Sequence, residues 1–308
     1  MDRFDAMQAF ARVVEAGSFT RAAETLRLNK TSVTQLVQQL EAHLRVKLLH
    51  RTTRQVQVTA DGAAYYERVR RLLADLDDAE TSLSSAQASP RGRIRVDVPT
   101  PLARLVLVPA LPDFHAKYPD IQIDMGASDR MVDLIEDQVD CVIRGGEITN
   151  PSLVARRLGD LSIAAYAAPA YLQRAGTPAH PRELEHTPHR TVGYLSARTG
   201  KVLSLTLHRG SERLSLQGRH ALAVDDGNAY LAAGLAGLGV LWLPTYMAEA
   251  HAARGELVPL FEDWRFDPMP LSLAYPPNRY QSAKVRVFID WAVELLTRRA
   301  PKGDASAP

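Results

Sequence analysis

The sequence predicts an α + α/β fold in three successive parts, and three observations predict it. Short helical apolar repeats occupy the first 58 residues, a heptad seam covers residues 65–86, and strands alternate with helices from residue 94 onward. At 308 residues, with domains of roughly 100–200 residues, two or three folding units are expected. Hydrophobic residues make up 46% of the chain and charged ones 23%, which excludes a disordered or collagen-like protein.

The first part reads as three short helices. Phe4, Met7, Phe10/Ala11 and Val14 recur at helical spacing until Gly17. Ser18 is a suitable N-cap for a second helix with Phe19, Ala22, Ala23 and Leu26 on its apolar face. Asn29 caps a third, with Val33, Leu36/Val37, Leu40 and Leu44 turned inward. Two helices joined by the short connection Arg27 to Asn29 suit a helix-turn-helix. The outward face of the third helix carries Lys30, Thr31, Ser32, Thr34 and Gln35, polar side chains able to bond base edges or phosphates. A recognition helix presents its N-terminal residues to the major groove, so these five are the candidate DNA contacts; a solvated polar cap is the plainer alternative. Arg51 and Arg54 precede the alternation Val56, Gln57, Val58, a short β-ribbon whose arginines suit the DNA backbone or minor groove.

Charge supports this placement. The formal net charge is only +2, but residues 1–58 hold nine basic against five acidic side chains, and residues 59–89 three against six. Basicity is thus concentrated in the first segment, where a nucleic-acid footprint belongs.

Thr59 caps the long helix expected from 59 to about 87. Tyr65, Val69, Leu72, Leu76, Ala79, Leu83 and Ala86 form its seam, with Arg68, Arg70, Arg71, Asp75, Asp77, Asp78 and Glu80 opposite. Such a stripe must be covered, by a second copy of the chain or by its own domain. A small-residue linker ends near Pro90. Ile94 to Val98, Ile121 to Met125 and Cys141 to Ile143 then read as strands, and Leu102 to Tyr118 and Val132 to Gln138 as helices, giving a largely parallel α/β sheet.

Over nearly its whole length the chain resembles the LysR-type transcriptional regulators. The resemblance rests on Phe4 to Val14, Gly17-Ser-Phe19, Ala22-Ala23, Leu26, Thr31-Ser-Val-Thr34, Leu40-Glu41, Leu48 to Arg51, Val58-Thr59 and Gly62. Later segments add Asp140 to Arg144, Gly237-Leu-Gly239 before Leu243-Pro244, Tyr275-Pro276, and Val285 to Asp290. It implies a winged helix-turn-helix at 1–58, a dimerising linker helix at 59–89, and an effector-binding domain at 90–300 like a periplasmic binding protein. Two α/β subdomains are implied, about 90–161 with 267–300 and about 162–266, crossing near Leu161 to Ala168 and Asp267 to Ala274. The resemblance further implies a homodimer or homotetramer on a pseudo-palindromic double-stranded DNA operator, modulated by a small-molecule effector, with RNA polymerase as a further partner. Arg45 stands where the family commonly has glycine, Leu49 where phenylalanine is frequent, and Cys141 in place of a common leucine.

Ligands in open α/β sheets bind beyond the carboxyl ends of strands. Thr100 can cap a helix with Pro101 at its first turn, leaving the amides of Leu102 and Ala103 for an anion; capping alone is the alternative. Ser128 holds the matching place after the second strand, with Asp129 as a cap. Arg144 ends the third strand and suits a carboxylate bidentately, or an internal pair with Asp140 or Glu147. Asn228 opens a helix in the second subdomain. Thr100, Ser128, Arg144 and Asn228 are therefore the candidate effector residues, for a small, carboxylated organic molecule.

No catalytic or cofactor signal emerges. The glycines at 234, 237 and 239 have GxxGxG spacing and lie in a helix-to-strand run, and neither GxSxG, HExxH nor paired CxxC occurs. The single cysteine, Cys141, precludes an intramolecular disulfide and reads as a buried thiol. Asp2, Arg3 and Asp5 leave no apolar leader after Met1, and Ala229 to Pro244 falls short of the ~20 residues a membrane span needs. A cytoplasmic, nucleoid-associated regulator without metal, cofactor or membrane is expected. An enzyme or solute-binding protein on the same α/β scaffold is the rival class.

Overall fold

The computed structural model describes residues 2–51, 56–84, 90–130, 134, 139–148, 150–186, 188–277 and 282–299. Contacts divide the chain into two compact units, Met1–Ala88 and Ser89–Pro308.

The first unit comprises α1 (Arg3–Ala16), α2 (Phe19–Leu26), α3 (Lys30–Leu44), β1 (Leu49–Arg51), β2 (Val56–Val58) and α4 (Ala60–Ser84). Ala6, Ala9, Phe10 and Val13 of α1 meet Phe19 and Ala22 of α2, and Val33, Val37 and Leu40 of α3, in one core. The buried face of α1 is thus centred one residue away from Phe4, Met7 and Val14, which lie half-buried at its edge. Alanines make part of that face, and a search for large apolar side chains passes over them.

The helix starts follow from short polar side chains. Asp2 accepts from the Phe4 amide at 2.8 Å, Asn29 from Ser32 at 2.7 Å, and Thr59 Oγ1 from Gly62 at 2.8 Å. Ser18 holds the N-cap position of α2, but its hydroxyl makes no capping bond. α1, α2 and α3 each end on a left-handed residue, at Gly17 (φ 61°), Arg27 (φ 54°) and Arg45 (φ 56°). Glycine reaches that conformation freely, whereas an L side chain pays roughly 1–2 kcal/mol. Arg45 therefore closes α3 as glycine would, with strain.

β1 and β2 pair antiparallel, Leu49 opposite Val58 and Arg51 opposite Val56, which makes the wing. α4 leaves the wing at Gly62, where a Cβ would meet the Leu48 carbonyl oxygen at 2.0 Å, so only glycine fits. Val69 is fully buried, while Leu72 and Leu76 are 54% and 37% exposed.

The second unit begins with β3 (Gly92–Val98), α5 (Thr100–Leu102), a π-turn (Ala103–Leu107), α6 (Val108–Lys117), β4 (Ile121–Ala127), β5 (Cys141–Gly145) and β6 (Val154–Leu161). The π-turn has a local cause. Pro109 has no N–H to give the Leu105 carbonyl, and the Val108 amide reaches back five residues to Ala103. The chain then crosses at Ser162 into β7 (Ile163–Ala167), α7 (Pro169–Ala175), β8 (Thr191–Tyr194), β9 (Leu205–Arg209), β10 (Glu212–Leu216) and β11 (His220–Val224). It continues through α8 (Gly227–Leu235), β12 (Leu241–Pro244), α9 (Thr245–Ala253), β13 (Val258–Leu260) and β14 (Arg265–Phe266). It returns as β15 (Met269–Tyr275) and ends in α10 (Ala283–Arg299).

The larger sheet has the order β4-β3-β5-β15-β6. Its β4, β3 and β5 are parallel, but β15 runs antiparallel to both β5 and β6. The sheet is therefore mixed rather than largely parallel, because the strand returning from the second half enters it in the opposite direction. In the second half β7 pairs antiparallel with β12 and β13, β8 pairs parallel with β11, and β9 joins β10 and β14. Phe114 anchors the first half's core between Phe288 and Trp291, with ring centroids 5.9 and 5.1 Å away. Of the helix expected at Val132 to Gln138 only Leu134 is described, and it is buried. The tail 301–308 lies outside the described residues.

Candidate functional site

In the first unit the site is the outer surface of α3. Lys30, Thr31 and Gln35 are exposed, and Ser32 and Thr34 are half-buried, on a helix that buries Val33 and Val37. Asn29 fixes the start of the helix by taking the Ser32 amide, so the polar side chains project from a defined first turn. Ser32 and Gln35 also line a groove of about 440 Å³ that Gln8 and Asp5 of α1 and Leu28 of the turn complete. Arg51 ends β1 in register with Val56, and Arg54 lies outside the described residues.

One charged residue that the sequence reading missed holds this surface in place. Glu41 is 4% exposed. Its Oε1 accepts the amides of Leu48 at 3.0 Å and Leu49 at 3.1 Å, and its Oε2 accepts from Lys47 Nζ at 2.9 Å. Burial pushes the carboxyl up, but Lys47 and the Leu49 and Leu48 amides outweigh it and hold the group below its ordinary value. The carboxylate thus ties α3 to β1. A glutamate late in a helix reads as solvated until the wing that folds over it is known.

In the second unit the four candidate residues gather at the junction of its halves, each already engaged. Arg144 pairs with Asp97 of β3, not with Asp140 or Glu147, and donates also to the Arg130 carbonyl at 3.1 Å. In the parallel register Asp97 lies opposite Val142, two residues before Arg144, so both side chains fall on one face of the sheet. On the other side Asp97 lies opposite Gly126 of β4, where a Cβ would meet its Oδ2 at 2.3 Å. The guanidinium expected to clamp a carboxylate is therefore committed to an internal ion pair.

Thr100 is the first residue of α5 and Pro99 the cap, and the Ala103 amide is used within the helix by the Pro99 carbonyl at 2.9 Å. Both points correct the expected Thr100 cap and the expected free Ala103 amide. Ser128 Oγ accepts the Arg130 amide at 3.0 Å, a local turn contact. Asn228 accepts from Arg104 Nη1 of the π-turn at 3.3 Å. Arg104 was not singled out in the sequence, since its partner lies 124 residues further on.

The segment that Asp129 is expected to cap lies largely outside the described residues. Asp129 Oδ2 accepts the Gly227 amide at 2.6 Å and the Tyr194 hydroxyl at 3.2 Å, partners that spacing did not reveal. Burial, with Asp226 beside it, pushes the Asp129 carboxyl above its ordinary value. Cys141 is 1% exposed, and burial pushes its thiol up, leaving an unreactive core side chain. Among the described residues no group of three His, Cys, Asp or Glu is placed to hold a metal ion, and no helix is long and apolar enough to cross a membrane.

A helix-turn-helix with a wing, on the same chain as a two-halved α/β domain, defines the class of a DNA-binding regulator with a second, α/β domain. Comparison with known proteins gives the family. Residues 4–63 match the bacterial regulatory helix-turn-helix of the lysR family, and residues 87–297 match the LysR substrate binding domain. The chain belongs to the LysR family of transcriptional regulators. It is 39% identical over 296 residues to an HTH-type transcriptional repressor of Pseudomonas aeruginosa strain UCBPP-PA14, covering 96% of this chain and 93% of that one. It is 34% identical over 300 residues to the HTH-type transcriptional activator AaeR of Escherichia coli K12, covering 96% of each. The structure of CrgA, a LysR-type transcriptional regulator from Neisseria meningitidis, matches with a TM-score of 0.61 at 31% identity, over 95% of this chain and 98% of that one. The family is regulatory rather than catalytic, and its members bind DNA and small-molecule effectors and form oligomers.

Proposed function

We propose that this protein is a cytoplasmic, nucleoid-associated regulator that reads a pseudo-palindromic operator as a dimer or tetramer and responds to a small organic effector. Lys30, Thr31, Ser32, Thr34 and Gln35 enter the major groove, and Arg51 and Arg54 of the wing contact the backbone or minor groove. The observation that carries this reading is the defined, polar first turn of α3, presented outward on a packed helical core. The linker helix α4 supplies the dimer contact, a reading supported by Leu72 and Leu76, which stay exposed along the same stripe as buried Val69. The effector enters between the halves of the second unit near Thr100, Ser128, Arg144 and Asn228, and its binding alters the halves' mutual geometry and the DNA complex, with RNA polymerase as the downstream partner. The expected carboxylate group on that effector loses its main support, since Arg144 is paired with Asp97.

A mobility-shift assay with the DNA upstream of the chain's own gene, at stated salt, tests the reading. A sequence-specific shift is expected. Ser32→Ala or Gln35→Ala relaxes base preference, and Arg54→Ala weakens binding to all sequences alike. No sequence-specific shift in any condition overturns the proposal.

A further inference from the structure

We infer that Leu28, in the turn before α3, is a further specificity-determining residue: it reads the 5-methyl group of a thymine in the major groove of the operator. This rests on the assignment of α3 to that groove. Leu28 stands two residues before Lys30, the first residue of α3, at the end that a recognition helix turns toward the bases. Its side chain is 44% exposed, whereas Val33 and Val37 of α3 are buried. Leu28, Ser32 and Gln35 line the same groove of about 440 Å³, so the leucine shares a surface with two residues assigned to base edges.

The exposure has a local cause in the way α2 ends. The Leu28 amide donates to the Ala23 carbonyl at 2.9 Å and the Arg27 amide to that of Glu24 at 3.2 Å, with Arg27 left-handed at φ 54°. Such an ending packs the residue after the left-handed one against the residue five before it. Here that residue is Ala23, whose single methyl covers little of a leucine. Leu28 thus stays at the surface, yet its place is fixed by these bonds on one side and by the Asn29 cap on the other, which takes the Ser32 amide at 2.7 Å. Leu26 and Leu36 extend the apolar lining of the groove. Among the described residues that line it, Asp5 alone is charged, and its carboxylate disfavours a phosphate there. An uncharged base edge meets no such penalty, and the 5-methyl of thymine is the apolar group that the major groove presents. The groove therefore suits a thymine edge, with Leu28 on the methyl and Ser32 and Gln35 beside it as hydrogen-bonding partners.

Deleting the methyl from the DNA and the leucine from the full-length chain, singly and together, tests the inference. The fragment upstream of the chain's own gene is synthesised with deoxyuridine in place of thymidine, which removes every 5-methyl group and keeps the hydrogen bonds of each base pair. The wild type is expected to bind this fragment at least about fourfold more weakly than the natural one, the worth of one buried carbon. Leu28→Ala should bind the natural fragment more weakly by a similar factor, and should respond to the methyl deletion by less than about twofold, because the two changes remove one contact. The salt dependence of its affinity should match that of the wild type, since no phosphate contact is lost. Leu28→Gln, a polar side chain of similar length, gives the same reading should the alanine variant not fold. An equal response to the methyl deletion in wild type and variants, or none in the wild type, overturns the inference, because the methyls are then read elsewhere or not at all. The natural fragment separates this failure from the larger one. A wild type without a sequence-specific shift on it defeats the regulator reading and this inference together, whereas a specific shift with equal methyl responses defeats the role of Leu28 alone.

Discussion

Glu41 of α3 accepts the backbone N–H of Leu48 at 3.0 Å, so a buried carboxylate joins the helix assigned to the major groove to the residue that leads into the first strand of the wing. Two other donors, Leu49 and Lys47, share the same carboxylate. Removing the charge should therefore loosen a relationship between two elements assigned to DNA, not merely one bond.

Glu41→Gln is expected to destabilise the first unit by about 1–3 kcal/mol near neutral pH. The carboxyl lies below its ordinary 4.5 in the folded chain, where burial raises it but Lys47 and the two amides win. Its contribution is therefore fully present above 4.5 and is lost as pH falls through the lower folded value. Urea titrations of wild type and variant across that range should show curves that separate near neutrality and converge in acid.

Asp129 should titrate the other way. Burial and Asp226 raise its carboxyl above 3.8. The folded state then binds its proton first, so acidification through that window favours the folded second unit. Carbon-detected NMR of the labelled carboxyl should give a midpoint above 3.8, and a midpoint at or below it would contradict the burial described here.

Arg45→Gly should raise stability by about 1 kcal/mol, because the residue already stands at φ 56° and closes α3 in the left-handed region. Chemical denaturation is the measurement. The gain should appear without loss of operator affinity, since Arg45 is outside the set assigned to DNA.

Leu72→Asp in α4 should shift the chain from dimer to monomer in sedimentation equilibrium while its circular dichroism stays unchanged. Leu72 is 54% exposed, so the substitution removes nothing from the first unit's own core. An unaltered sedimentation mass would direct attention to a dimer contact elsewhere.

Gly227→Ala should destabilise the second unit by about 1–3 kcal/mol, since the added methyl has Pro101 Cγ 2.5 Å away. Differential scanning calorimetry of the full chain checks this.

The elements readable from the residues were those whose cause is local. Helical spacing with Asn29 and Thr59 as caps placed α3 and α4, and alternation placed β2, β3 and β4. What escaped was set by partners far along the chain. Asp97 lies 47 residues before the arginine it pairs with, and Gly227 98 residues beyond the aspartate it donates to. Glu41 acquires its partners only when the wing turns back over α3. Spacing singled out Ser128, Arg144 and Asn228 without showing that their side chains already have partners within the chain.

The two connections between the halves of the second unit lie side by side: β6 passes through Ser162 into β7, while β15 starts at Met269 in register with Leu161. A pair of adjacent strands resists shear and bending within the sheet but permits a swing about the line through them. A hinge about that line is thus the softest deformation the two strands allow. The contacts of Arg104 with Asn228 and of Asp129 with Gly227 join the two halves across it.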